Sequence, residues 1–182
     1  MQPSLPEIEA VLAKVKSRSL ESTLFNVAHA YARAGQQSVQ AIFAESNADF
    51  AAPAIMCKSF AIELLLKFFI VIAYPTAQTY ADLKALNVDL RGHLYTELFD
   101  KIKVNYQEKI ADTFSTAANR RIDQHDFKAI LVEIGDNPFV QWRYIYESKG
   151  IRHFNPPLFD TVLNALGKAA EFERRQSATS AP

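Results

Sequence analysis

Apolar side chains recur three and four positions apart along most of the chain, with no sustained two-residue alternation, so the sequence predicts helices nearly throughout. A first amphipathic stretch spans roughly 5–17, with Leu5, Ile8, Leu12 and Val15 on one stripe. A second spans about 21–45 and carries Leu24, Ala28, Tyr31, Val39, Ile42 and Phe43, with Gly35 as a point that loosens its middle. "SNADFAAP" then turns the chain, and Pro53 suits the first turn of a helix over about 54–73. The segment "YPTAQTYADLKALNVDLRG" reads as a connector with one short helix near 80–86.

Leu94, Leu98 and Ile102 mark a helix from about 93 that runs on, or breaks and restarts, toward 119. Phe127, Ile130, Leu131 and Ile134 fit the next helix, begun by Asp123 or Gln124 and stopped by "GDNP". Pro138 opens a helix bearing Trp142 and Arg143. Asn155 and two prolines start a last helix to about 175, with Phe159, Val162, Leu163, Leu166 and Ala170 on its apolar face. These elements predict one all-α domain over 1–182, an up-down bundle of about five to seven helices. Its core covers about 20–175, with loose ends at 1–4 and 176–182.

The run "FAIELLLKFFIVIA" at 60–73 is the most apolar in the chain, yet it holds Glu63 and Lys67 and has only fourteen residues. A membrane span needs about twenty, so the run reads as a central buried helix and no membrane association is expected. Ser59, Glu63 and Lys67 stand four apart and form one polar row along it. A charge in such a helix costs several kcal/mol unless paired, so Glu63 needs a partner. Lys67 sits in the favourable i,i+4 position, and a further cationic or hydrogen-bonding partner from elsewhere in the chain is expected. Arg143 is the candidate for that role.

Basic and acidic residues number 20 each, so overall charge supports neither a nucleic-acid-coating nor a membrane-surface protein, although a local basic patch remains open. The one cysteine, Cys57, cannot form an internal disulfide and reads as a core thiol rather than a nucleophile. With an N-terminal stretch that holds acids and no apolar signal core, this predicts a cytoplasmic protein. No Cys/His spacing suggests a zinc site, and the sequence calls for no metal or cofactor.

The densest candidate chemistry lies in "FVQWRYIYESKGIRHF" at 139–154. Arg143, Lys149, Arg152 and His153 are interleaved with Tyr144 and Tyr146, and Glu147 is the only acid between. Cations beside aromatics suit a nucleotide or single-stranded nucleic acid. The same residues also suit a solvated loop or an aromatic dimer interface. Arg143 itself reads in two ways, as the planar partner of Glu63 or as a phosphate anchor at a cleft. His93 reads as a helix-start residue that caps or packs, His125 as a solvated one, and His29 as a packed or exposed side chain of an Ala-rich helix.

"SFAIELLLKFFI" at 59–70, "GHLYTELFDKI" at 92–102 and "WRYIYE" at 142–147 occur in the order seen in HEPN-domain proteins, and the chain resembles that family over roughly 20–170. The resemblance implies an all-α HEPN-like bundle and a homodimer. It also implies either a binding module for RNA, a nucleotide or a partner protein, or a metal-independent ribonuclease, in a toxin–antitoxin or antiphage setting. The family's ribonucleases place a histidine four to six residues after the late-helix arginine. The arginine matches Arg143, but residues 148–150 read "SKG" and the next histidine is His153. Ribonuclease chemistry without a metal needs a proton acceptor and a proton donor, which arginine does not readily supply. The expected function is therefore a non-catalytic binding module. Its candidate binding residues are Arg143, Tyr144, Tyr146, Glu147, Lys149, Arg152, Glu63 and Lys67. The alternatives are a divergent ribonuclease that pairs Arg143 with His153 or His93, and a dimerisation scaffold.

Overall fold

A computed structural model describes residues 4–143 and 155–179, and among these every regular element is helical. Leu5–Lys16 forms α1, whose described side chains, Leu5 included, are exposed. The long α2, Leu20–Glu45, starts on a Ser19 hydroxyl that accepts the Ser22 N–H, and ends where Ser46 turns left-handed at φ 50°. A 3-10 turn at Ala48–Phe50, capped by Asn47, leads directly into α3, Ala51–Ile72. Because this link is short and α2 lies along α3, the two form an antiparallel hairpin.

The centre of the molecule is α3. Ile62, Leu66, Phe68, Phe69 and Ile70 are all fully buried on it, each contributing about 1.5–3 kcal/mol of apolar burial. Its apolar circumference is covered by helices on several sides, which is why its sequence shows no single apolar stripe. After α3 comes α4, Tyr80–Ala85, a short helix held by a reciprocal capping box between Thr79 and Asp82 and pinned by the fully buried Leu83.

The stretch from Leu94 to Ala118 breaks rather than runs on. It gives α5, Tyr95–Asp100, and α6, Val104–Ala118, because the chain turns extended at Lys103. Gln107 bridges the break by donating to the carbonyls of Phe99 and Ile102. α7, Gln124–Glu133, opens on an Asp123–Asp126 capping box, and its apolar set Phe127, Ile130, Leu131 and Ile134 is buried. α8, Pro138–Arg143, packs on α3 through a Phe60–Phe139 ring contact with centroids 5.3 Å apart. α9, Pro156–Thr179, buries Phe159, Val162, Leu163, Leu166 and Ala170 against α3 and α6. Six of these helices have ten or more residues, and α4, α5 and α8 have six each. The all-α bundle expected from the periodicity is therefore the fold, with short helices added in the connectors.

Two local expectations are corrected. Gly35 tightens the bundle instead of loosening α2: a Cβ there would lie 2.6 Å from Lys58 Cγ and 3.0 Å from the Ala54 carbonyl oxygen. The missing side chain is what lets α2 approach α3 so closely. Phe43, read as part of the buried face of α2, is 80% exposed, and so lies off the face that α2 packs inward. No helix among the described residues is long and apolar enough to cross a membrane.

Candidate functional site

The polar row on α3 is resolved within the core. Ser59, fully buried, donates its hydroxyl to the Ile55 carbonyl one turn back. Glu63 is only 1% exposed, and both of its carboxylate oxygens are engaged. Lys67 Nζ approaches Oε1 at 2.7 Å and His93 Nδ1 approaches Oε2 at 3.0 Å. The Lys67 side chain is 14% exposed, so it is mostly buried where it meets Glu63 and lines the hollow above it. A carboxylate can only accept, so Nδ1 of the imidazole must carry the shared proton. In the neutral ring Nε2 is then an acceptor with no partner among the described residues. The His93 side chain is 56% exposed, which places the ring at the surface above a buried charge.

Three features bring His93 there. Gly92 has φ 111°, a conformation that a side chain disfavours, and it turns the chain so that the next residue drops onto Glu63. Just beyond, Tyr95 is 1% exposed and donates its hydroxyl to the Ser59 carbonyl at 2.8 Å. Burial pushes that phenol well above its ordinary value, so it remains a neutral donor. Asp136, in the turn before α8, fixes the same segment. Its carboxylate accepts the Thr96 N–H at 2.8 Å and the Thr96 hydroxyl at 3.0 Å, and its carbonyl accepts the Tyr95 N–H. The loop that launches α8 is thereby tied to the loop that carries His93.

Lys67, Gly92 and His93, together with Tyr80, Leu90 and Arg91, line an open hollow of about 350 Å³. Lys101 donates to the Arg91 carbonyl at 2.9 Å, and the Arg91 guanidinium meets Asp89 through Nε. That contact holds the Asp89 carboxyl below its usual range. Lys67, Arg91 and His93 thus line one opening, with Glu63 buried and paired beneath them and Asp89 paired with Arg91 beside them. Among its described lining residues the two cations are each paired with an acid, so the opening offers fixed nitrogen groups to a ligand rather than a basic patch.

Glu63 therefore draws a partner from the Gly-His turn, and the expected Glu63–Arg143 pair falls on a side chain outside the described residues. The backbone of Arg143 ends α8, and its side chain lies outside the described residues. Tyr144, Tyr146, Glu147, Lys149, Arg152 and His153 also lie outside them. Of the other histidines, His29 packs on the Phe25 ring at 4.3 Å between centroids, and the exposed His125 belongs to the α7 cap. Cys57 is half-buried, and burial raises its thiol above the ordinary range, as suits a packed thiol better than a nucleophile. A second hollow, about 460 Å³, lies between α2 and α9 over Lys58, whose buried amine is paired with Asp160 at 2.7 Å. No three His, Cys, Asp or Glu side chains converge as a metal would require among the described residues.

Tyr80 and Arg91 escaped the sequence reading because they fall in what looked like a connector. The usable signal was the glycine before His93, which forces a turn, together with the two acceptor oxygens of one buried carboxylate. Comparison with protein-family models, curated proteins and solved structures finds no match to this chain.

Proposed function

We propose that the chain is a HEPN-like module that binds a phosphate-bearing ligand, a nucleotide or a segment of single-stranded RNA, at the hollow over Glu63. The observation that carries this reading is the buried Glu63 carboxylate holding Lys67 and His93 at one rim. It fixes an ammonium and an imidazole that would otherwise be mobile, and the imidazolium form of the ring offers its Nε2–H to a phosphate beside the Arg91 guanidinium. Fixed donors lose less freedom on meeting a phosphate than free side chains do. The order of the quoted motifs supports the family reading, and with it a homodimer in the cytoplasm.

A second reading has its own support. A carboxylate behind an imidazole whose Nε2 has no partner among the described residues is the arrangement of a general base. In a divergent metal-independent ribonuclease, His93 Nε2 would take the proton of a 2′-hydroxyl as its oxygen attacks phosphorus. Lys67 and Arg143 would hold the phosphate, and a second group would protonate the leaving 5′-oxygen.

One experiment separates the two readings. Purified protein, His93→Gln and Arg143→Ala are incubated with a labelled RNA pool in EDTA and resolved on denaturing and native gels. Retention without cleavage, weakened in His93→Gln, is the expected result. Cleavage lost in His93→Gln selects the ribonuclease. No retention and no cleavage overturns both. Light scattering on the same preparation tests the dimer.

A further inference from the structure

We infer that the ligand track does not stop at His93 but continues across Tyr80 into a second hollow. The preferred ligand would then be a single-stranded RNA segment of at least two nucleotides, with one base stacked on the Tyr80 ring. This inference rests on the phosphate-binding reading above.

Two hollows meet at the same pair of residues. The first is the one beside His93, and the second, about 480 Å³, is lined by Lys84, Asn87, Val88 and Asp89, with Tyr80 and Arg91 belonging to both. Each falls in the size range of small-ligand sites, roughly 300–1,000 Å³, so together they exceed what a lone phosphate requires. Tyr80 is 44% exposed at their junction, where an aromatic ring and a guanidinium line the same two hollows. Such a pairing is what a nucleobase meets in single-strand binding sites, where stacking tolerates any base and cations follow the backbone. Lys84 supplies a cation to the second hollow and Asn87 an amide that can read a base edge.

The platform is held in place before any ligand arrives. Tyr80 is the first residue of α4, directly after the Thr79 cap and within its box with Asp82, and Leu83 anchors that helix in the core. The Gln78 N–H donates to the Asp82 carboxylate, and the Gln78 carbonyl accepts the Leu20 N–H from the start of α2. On the far side, Val88 N–H returns to the Leu83 carbonyl around a left-handed Asn87, and the buried Leu90 holds the segment that delivers Arg91. Both walls of the track are therefore fixed by backbone bonds and buried leucines.

The test is fluorescence anisotropy with a labelled ten-nucleotide single-stranded RNA, with uridine monophosphate as competitor. Tyr80→Ala is expected to weaken binding by about tenfold, and Tyr80→Phe, which keeps the ring, by less than about twofold. Arg91→Ala is expected to weaken binding too, and the mononucleotide to compete poorly. Thermal melts of the Tyr80 variants should match the parent, since the ring is half-exposed. If RNA binding is lost in Lys67→Gln and His93→Gln but unchanged in Tyr80→Ala and Arg91→Ala, the track is wrong and the phosphate site stands. If none of these substitutions alters binding, or the parent protein does not bind RNA, both readings fall. In the latter case a protein partner becomes the occupant to seek.

Discussion

Glu63 and His93 are 30 residues apart in the chain and meet at 3.0 Å, carboxylate Oε2 to imidazole Nδ1, with the carboxylate buried and the ring at the surface. The contact joins the stability of the core to the chemistry of the rim. A buried carboxylate needs its partners, and one of those partners is the side chain best placed to meet a ligand.

Replacing Glu63 by Leu removes the acceptor of both Lys67 and His93 and leaves a nearly buried ammonium unpaired. The expected loss is on the order of 3 kcal/mol in denaturant unfolding. His93→Gln should cost far less, because its side chain is more than half exposed. In a cycle of Glu63→Gln, His93→Gln and the double variant, the two losses should not add; additivity would argue against the pair. The same cycle with Arg143→Ala measures whether Arg143 also contributes to this charge.

Gly92→Ala should damage the site more than the fold. A Cβ at Gly92 meets only Glu97 Oε2 at 3.7 Å, an ordinary contact, so the penalty comes from the backbone at φ 111°. That is about 1–2 kcal/mol for a left-handed residue. A small fall in melting temperature should accompany a clear loss of RNA retention as His93 leaves Glu63. Retention equal to the parent's would show that the turn does not position the site.

Gly35→Ala is expected to do the reverse. Its Cβ would press on Lys58 and on the Ala54 carbonyl, forcing α2 away from α3 at a cost of roughly 1–3 kcal/mol. The site near Gly92 is lined by α3, α4 and the Gly-His turn, so ligand affinity measured well below the melting temperature should change little.

Acid should loosen two helix starts. Asp82 lies below the ordinary aspartate value of 3.8, first through the Thr79 N–H and then through the Thr79 hydroxyl and the Gln78 N–H. Asp123 is lowered likewise, by the Asp126 N–H before all else. A carboxylate lowered in the fold contributes stability that is fully present above its unfolded value and is lost as pH falls through its folded value. Denaturant midpoints should therefore drop below about pH 4, and Asp82→Asn should flatten its share of that slope. An identical slope in the variant would contradict the assignment.

The sequence by itself determined the helices and the inward faces of most of them. Those features are local: the three-and-four spacing of Phe127, Ile130, Leu131 and Ile134, or of Phe159, Val162, Leu163 and Leu166, needs no knowledge of what covers them. It also showed that Glu63 must be paired, because a charge in an apolar helix cannot stand alone, and it gave Lys67 by spacing. It did not point to His93 as a partner, since nothing in a helical pattern records which loop will arrive over a given turn of α3. Only the tertiary structure decided that. Gly92 turns the chain, Tyr95 and Asp136 lock it, and His93 reaches the free oxygen of Glu63. Tyr80 and Arg91 became neighbours for the same reason: contacts between distant segments depend on how helices pack, and periodicity specifies which face is buried but not against what.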